Sequence, residues 1–346
     1  MGGLNPLFTH IRNYIVVHLQ RERRYGANTV RSYRKAIELL VDYVKEARGV
    51  PLTEVSFEMI DRDTLSAFLD YLERERGCSV TTRNHRLRCI HSFYAYVARE
   101  DVAALCHYEE VRKVRPAKAE DRLVGHMSEA AVQSVLDQPD VTTRIGRRDA
   151  MLMLFLYKTG ARVQELVDVR VKDVRMGKTP SVVLHGKGGK VRTVPLLDDV
   201  AQNLGLYLDR FHEGEGPRSE AHLFYTVRGG AKKRMTEQNV RALTAKYGAM
   251  ARQGNPEVPD RVHPHLFRHS WAMALVRAGL DLTLVQQWLG HSQLETTLVY
   301  ARADTETERK ALAKATPEDS PLKQYLNPER YKVDDEEMLK RLVGLR

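Results

Sequence analysis

Cysteine is scarce: the 346 residues include three, Cys78, Cys89 and Cys106. They form neither a CxxC pair nor an even set. That excludes a disulfide framework and a zinc ribbon and points to a reducing compartment, the cytoplasm. Uncharged apolar runs of about 20 residues are missing, so no membrane span is expected. Arg12 and His18 interrupt the apolar residues near the N-terminus, and no secretory apolar region results. Carboxylates do not cluster at metal-ligand spacing, which weighs against a metal-dependent nuclease. Internal repeats and low-complexity tracts are absent too.

What is present is ordinary in bulk. Charged residues make up 29% and hydrophobic residues 42%, and the length suits two domains, each with its own core. The net charge of +10 favours a polyanionic partner such as nucleic acid, with a basic soluble enzyme as the plain alternative. Residues 1–125 hold 21 Lys+Arg against 17 Asp+Glu, a surplus of 4, so the excess is spread over the chain and forms no basic tail.

Helical periodicity dominates the first third. In 28–47, Val30, Tyr33, Ile37, Leu40, Val41 and Val44 recur on one face, and Gly49 follows the end. In 81–98 the stripe is Leu87, Ile90, Phe93, Tyr94 and Val97. Shorter helices fit 8–20 and 61–76. Arg31, Arg34 and Lys35 on the first long helix, and Arg83, Arg86 and Arg88 on the second, lie mostly off the apolar stripes. A solvated face and a phosphate-facing one fit them equally well. Residues 1–108 thus form an expected helical domain. Residues 109–125, charged, aperiodic and containing Pro116, have the composition of a linker.

The expected second domain, 126–312, is mostly helical with a small antiparallel sheet. Ser128 can cap a helix over 129–137, and 149–157 reads as a buried helix ended near Gly160. SVVLH (181–185), GKGG (186–189) and KVRTVP (190–195) read as two strands about a glycine-rich turn with Lys187 at its tip. Helices follow at 198–211 and 236–252. In the tail, 313–346, Met338, Leu339, Leu342 and Val343 give a short apolar face. It suits packing on its own domain or docking on a neighbouring subunit.

The segment HPHLFRHSW (263–271) holds the densest chemistry. Pro264 suits a first helical position, and Phe267, Trp271 and Leu275 line one face of the helix that follows. His265 and Arg268, three apart, project from one side. His265 and His269 are four apart, a zinc spacing. However, Leu266 stands where a zincin has glutamate, and Arg268 opposes a dication. A core or capping role is the other alternative. Two further segments stand out. GARVQEL (160–166) puts Arg162 just after a glycine turn, with Glu165 placed to brace it. In WLGHSQLETTLVYAR (288–302), Gly290 closes a helix, His291 follows, and Tyr300 comes nine residues later.

Arg162, Lys187, His265, Arg268, His291 and Tyr300, in that order and within those motifs, resemble the tyrosine recombinase (phage integrase) family. Phe267 stands where many members have leucine. The resemblance is strong over about 125–310 and loose over 8–105. It implies a helical core-binding domain and a mostly helical catalytic domain that clamp double-stranded DNA at specific sites. It implies a homotetramer on DNA from a monomer in solution, and chemistry with no metal, cofactor or ATP. Tyr300 is the implied nucleophile of a 3′-phosphotyrosyl link. Arg162 and Arg268 offer paired donors to the phosphate oxygens. His265 adds a donor or accepts the phenol proton, and His291 bonds a phosphate oxygen. A lysine of the hairpin protonates the leaving 5′-oxygen: Lys187 by resemblance, with Lys190 as rival. Tyr325, Tyr331 and Tyr157 lie outside the motif. A type IB topoisomerase and a non-catalytic DNA-binding regulator are the alternatives. Few residues precede the first helix, so no additional arm-binding domain is expected there.

Overall fold

A computed structural model describes residues 5–119, 125–290, 335–342 and 344. The chain divides into two compact units, Met1–Arg122 and Leu123–Arg346.

The first unit is all helical. Asn5 caps α1 (Pro6–Arg12) with its side chain, and Pro6 sits at the first helical position. The chain continues as a π-helix, Asn13–Glu22, where a single α-helix over 8–20 was expected. The wider turn lets Tyr14 and Leu19, five apart, share the buried face. α2 (Ala27–Arg48) ends at Gly49 in the left-handed region, and α3 (Arg62–Arg74) and α4 (Val80–Glu100) begin at the side-chain caps Asp61 and Ser79. Their apolar stripes meet in one core around Tyr14, Phe68, Phe93 and Tyr94, with the Tyr14 and Phe93 rings 5.4 Å apart edge to face. α5 (Leu105–Arg112) runs into the stretch expected as a linker. Val111 and Val114 are buried with this core, and Tyr108 packs against it, so the charges of 109–113 decorate a helix.

The second unit wraps helices around a small sheet. α6 (Glu129–Leu136) is capped by Ser128, and α7 (Arg144–Thr159) runs through the core to Gly160. After α8 (Val163–Asp168), three antiparallel strands stand in the order β1 (Val174–Arg175), β2 (Ser181–His185), β3 (Val191–Pro195). Val182 pairs with Val194 and Leu184 with Arg192. The two expected strands are there, and β1 extends them on the other edge. α9 (Asp198–Phe211) follows, then an unforeseen hairpin of β4 (Tyr225–Arg228) and β5 (Ala231–Arg234). Gly229 and Gly230, at φ 57° and 76°, make its two-residue turn. α10 (Glu237–Gly254), α11 (Pro264–Arg277) and α12 (Leu282–Leu289) complete the unit, and a short helix, Glu336–Leu342, lies in the tail. Leu152, Phe155, Leu184, Val194, Phe224 and Phe267 are fully buried in one core. No helix among the described residues is long and apolar enough to cross a membrane.

Candidate active site

The site is organised by the end of α12. A helix leaves its last carbonyls without partners, at the negative end of its dipole. Here Asp281 caps the start of α12, and Gly290 ends it at φ 63°. Three guanidiniums then take three successive carbonyls. Arg192 Nε donates to Trp288 O at 2.9 Å, Arg268 Nη2 to Leu289 O, and Arg162 Nη2 to Gly290 O at 3.1 Å. The next residue in the chain is His291. Arginines from three elements thus gather where the sequence places the histidine and tyrosine motifs.

Arg162 stands at the start of α8. Its backbone N–H donates to Glu165 Oε2 at 2.7 Å, and its Nη1 donates to Glu165 Oε1 at 2.9 Å. The guanidinium remains 34% exposed, so it is braced and still open to a ligand. Arg268, on α11, is 2% exposed. Its Nη1 donates to Gly160 O, which ties α11 to the turn just before Arg162. Gly160 has φ 59°, and a β-carbon there would lie 2.9 Å from Leu289 Cδ2. Glycine is what lets this turn approach the end of α12.

Glu165 is the buried counter-charge, with its side chain 1% exposed. Burial pushes its pKa up. The hydrogen bonds and charge of Arg192, then those of Arg162, outweigh that and hold it below the usual carboxylate value. Arg192 grips it as a fork, Nη1 to Oε1 at 2.6 Å and Nη2 to Oε2 at 2.7 Å.

The hairpin turn abuts this carboxylate. Gly186 N donates to Lys190 O at 2.6 Å, closing a turn over Lys187–Gly189. A β-carbon on Gly186 would lie 3.2 Å from Glu165 Oε1. The backbone of Lys187 is therefore anchored one residue from the Glu165–arginine cluster. Lys190 is exposed beyond the turn.

His265 lies on the exposed side of α11, one turn before Arg268. Desolvation lowers its pKa first, then the charges of Arg268, His263, Arg162 and Arg241. The shift favours the neutral ring, the form that can accept a proton. His269 stacks on it with ring centres 6.1 Å apart. Burial, His265, Arg268 and His263 push its pKa down to about 4. Both shifts make stability fall on acidification. Between about 4 and the ordinary 6.5 the unfolded chain binds more protons than the folded one, so stability is lost as pH drops through that window. His269→Gln is expected to shrink the fall in Tm between neutral pH and about pH 5. An unchanged fall would place the acid sensitivity elsewhere.

The remaining expected residues divide. Arg31, Arg34 and Lys35 are exposed on α2, Lys35 pairing with Glu38 at 3.2 Å, and Arg88 is exposed on α4. Arg83 and Arg86 are more enclosed. Arg83 pairs with Glu73 at 3.3 Å, and Arg86 Nη1 donates to Ser32 O at 3.2 Å, so they tie α4 to α3 and α2. His291 and Tyr300 lie outside the described residues, as do the rivals Tyr325 and Tyr331. Among the described residues no group of three His, Cys, Asp or Glu side chains stands together as a metal site would need. Arg192 was not singled out from the sequence. Its signal was there: in a strand it shares a face with buried Val194, and an inward charge needs a buried partner.

The chain matches two family profiles, the phage integrase family over residues 126–307 and the phage integrase N-terminal SAM-like domain over 15–101. It is 31% identical over 317 residues to y4rC of Sinorhizobium fredii, named an integrase/recombinase, covering 91% of this chain and 92% of that protein. It is 30% identical over 285 residues to the tyrosine recombinase XerD of Staphylococcus haemolyticus, covering 82% and 90%. Among solved structures, the Tn1549 transposon integrase in complex with transposon right-end DNA shares the fold, with a TM-score of 0.66 at 17% identity, over 87% of this chain and 98% of that one. With the arginine cluster at the end of α12, these matches establish that the chain belongs to the phage integrase family and is a site-specific tyrosine recombinase.

Proposed function

We propose that the protein exchanges strands between two specific DNA sites through a covalent link at Tyr300. The gathering of Arg162 and Arg268 at the carbonyls just before His291 carries this reading. Two planar cations, fixed in advance by backbone carbonyls and Glu165, suit a phosphate on which charge builds during attack. The Tyr300 oxygen bonds to phosphorus as the bond to the 5′-oxygen breaks. His265 takes the phenol proton, and Lys187 supplies one to the departing oxygen. His291 hydrogen-bonds a non-bridging oxygen. The freed 5′-hydroxyl of another strand then attacks the phosphotyrosine and releases Tyr300. Bond energy is conserved throughout, so neither ATP nor a metal enters.

In this scheme the helical first unit, α5 included, and residues 126–312 both contact duplex DNA. Arg31, Arg34, Lys35 and Arg88 contact phosphates, as does Lys190, while Arg83 and Arg86 shape the same surface. Four copies hold two sites in the cytoplasm, with the 313–346 tail available for subunit docking. Joining or excising a mobile element needs no further chemistry.

Product analysis separates exchange from simple relaxation. A plasmid carrying two copies of the bound site, found by sequencing DNA held by Tyr300→Phe, should yield deletion or inversion products. Relaxation of supercoils without exchange, equal on plasmids lacking the site, would instead indicate a topoisomerase.

A further inference from the structure

Arg192 joins the hairpin, the start of α8 and the end of α12 through its side-chain hydrogen bonds. Its fork holds Glu165, which holds Arg162, and its Nε holds Trp288 O. It rises from β3, the strand that returns from the Lys187 turn. It is 12% exposed, and Gly290 closes over it: a β-carbon there would lie 3.0 Å from Arg192 Cδ. A buried ion pair is weak grounds for stability, since apolar residues of similar volume serve as well or better. What a guanidinium adds is geometry. From its place on β3, its planar donors hold three acceptor atoms on two other elements, α8 and α12, which lysine cannot do.

We infer that Arg192 is a positioning residue that sets the hairpin lysine against the phosphate-binding arginines. It touches no reacting atom. It acts through Lys187, and so rests on the reading of Lys187 as the acid for the 5′-oxygen. Loss of the fork lets the turn drift from Glu165 while Arg162 keeps its own bonds to Glu165 and Gly290. Displacement of a catalytic group by about 1 Å costs on the order of 10²-fold in rate.

The test compares full-length wild type, Arg192→Lys, Lys187→Ala and the double variant in single-turnover cleavage. Substrates carry either the normal 5′-oxygen or a bridging 5′-sulfur, which leaves without a proton. Arg192→Lys should lose about 10²-fold on oxygen and return to within about threefold of wild type on sulfur. On oxygen the double variant should be no slower than Lys187→Ala, because both substitutions remove one function. Gly186→Ala, which pushes the turn off Glu165 from the other side, should show a smaller defect with the same sulfur rescue and guards against misfolding of the first variant. Equal loss on both substrates, or Arg192 and Lys187 defects that multiply, would overturn the inference. If Lys187→Ala itself gains nothing from sulfur, its acid role fails, and the double variant alone then decides whether Arg192 acts through it.

Discussion

Tyr300→Phe should abolish covalent attachment to DNA while leaving DNA affinity within about threefold, since affinity rests on many phosphate contacts. Phenylalanine keeps the ring and removes the one oxygen that the proposed chemistry esterifies. Removal of a covalent nucleophile in other enzymes costs about 10⁶-fold, so adducts should fall below detection. The comparison is made on a substrate nicked beside the cleavage point, where the short 5′ fragment diffuses away and the adduct accumulates. Denaturing electrophoresis reads the adduct, and a native gel reads binding. An adduct formed by Tyr300→Phe at the wild-type rate would remove residue 300 from the mechanism.

The second large effect is expected at Arg268. Arg268→Ala deletes donors to Gly160 O and Leu289 O in a site 2% exposed. Leaving buried acceptors unpaired costs roughly 1–3 kcal/mol, so Tm should drop by several degrees. Arg268→Lys tells stability apart from catalysis. It keeps the charge but not the planar fork, and loss of one preorganised donor to a developing anion costs about 10²–10³-fold in rate. Cleavage by Arg268→Lys should fall by that factor while DNA binding changes little. Wild-type cleavage by Arg268→Lys would mean that this guanidinium holds α11 to α12 and does nothing for the phosphate.

The sequence was a good guide where one element carries the whole signal. The stripes of α2 and α4, the cap at Ser128, and the two strands about the Lys187 turn were legible because each pattern is local. The pairing of Arg162 with Glu165 was legible for the same reason, being three residues apart at a helix start. α5 was hidden because Ala104, Tyr108 and Val111 are interleaved with charges that read as a linker. The β4–β5 hairpin was hidden because Ala231–Arg234 is exposed throughout and shows no apolar alternation. The Gly229–Gly230 pair was its one trace. Arg192 was missed because its partners, Glu165 and Trp288, are 27 and 96 residues away. Periodicity says that a strand position faces inward. Only the packed fold says which acceptors wait there. The arginines' convergence on three consecutive carbonyls is likewise a property of tertiary contact, although Gly160 and Gly290, which permit the close approach, mark the places in sequence.

The central claim is that a single phenolic oxygen, that of Tyr300, becomes bonded to phosphorus. Wild-type protein trapped on the nicked substrate, digested with nuclease and protease, should yield one modified peptide by mass spectrometry, with the nucleotide remnant on Tyr300. A remnant on Tyr325, Tyr331 or any other residue, or a trapped complex with no covalent remnant at all, would contradict it.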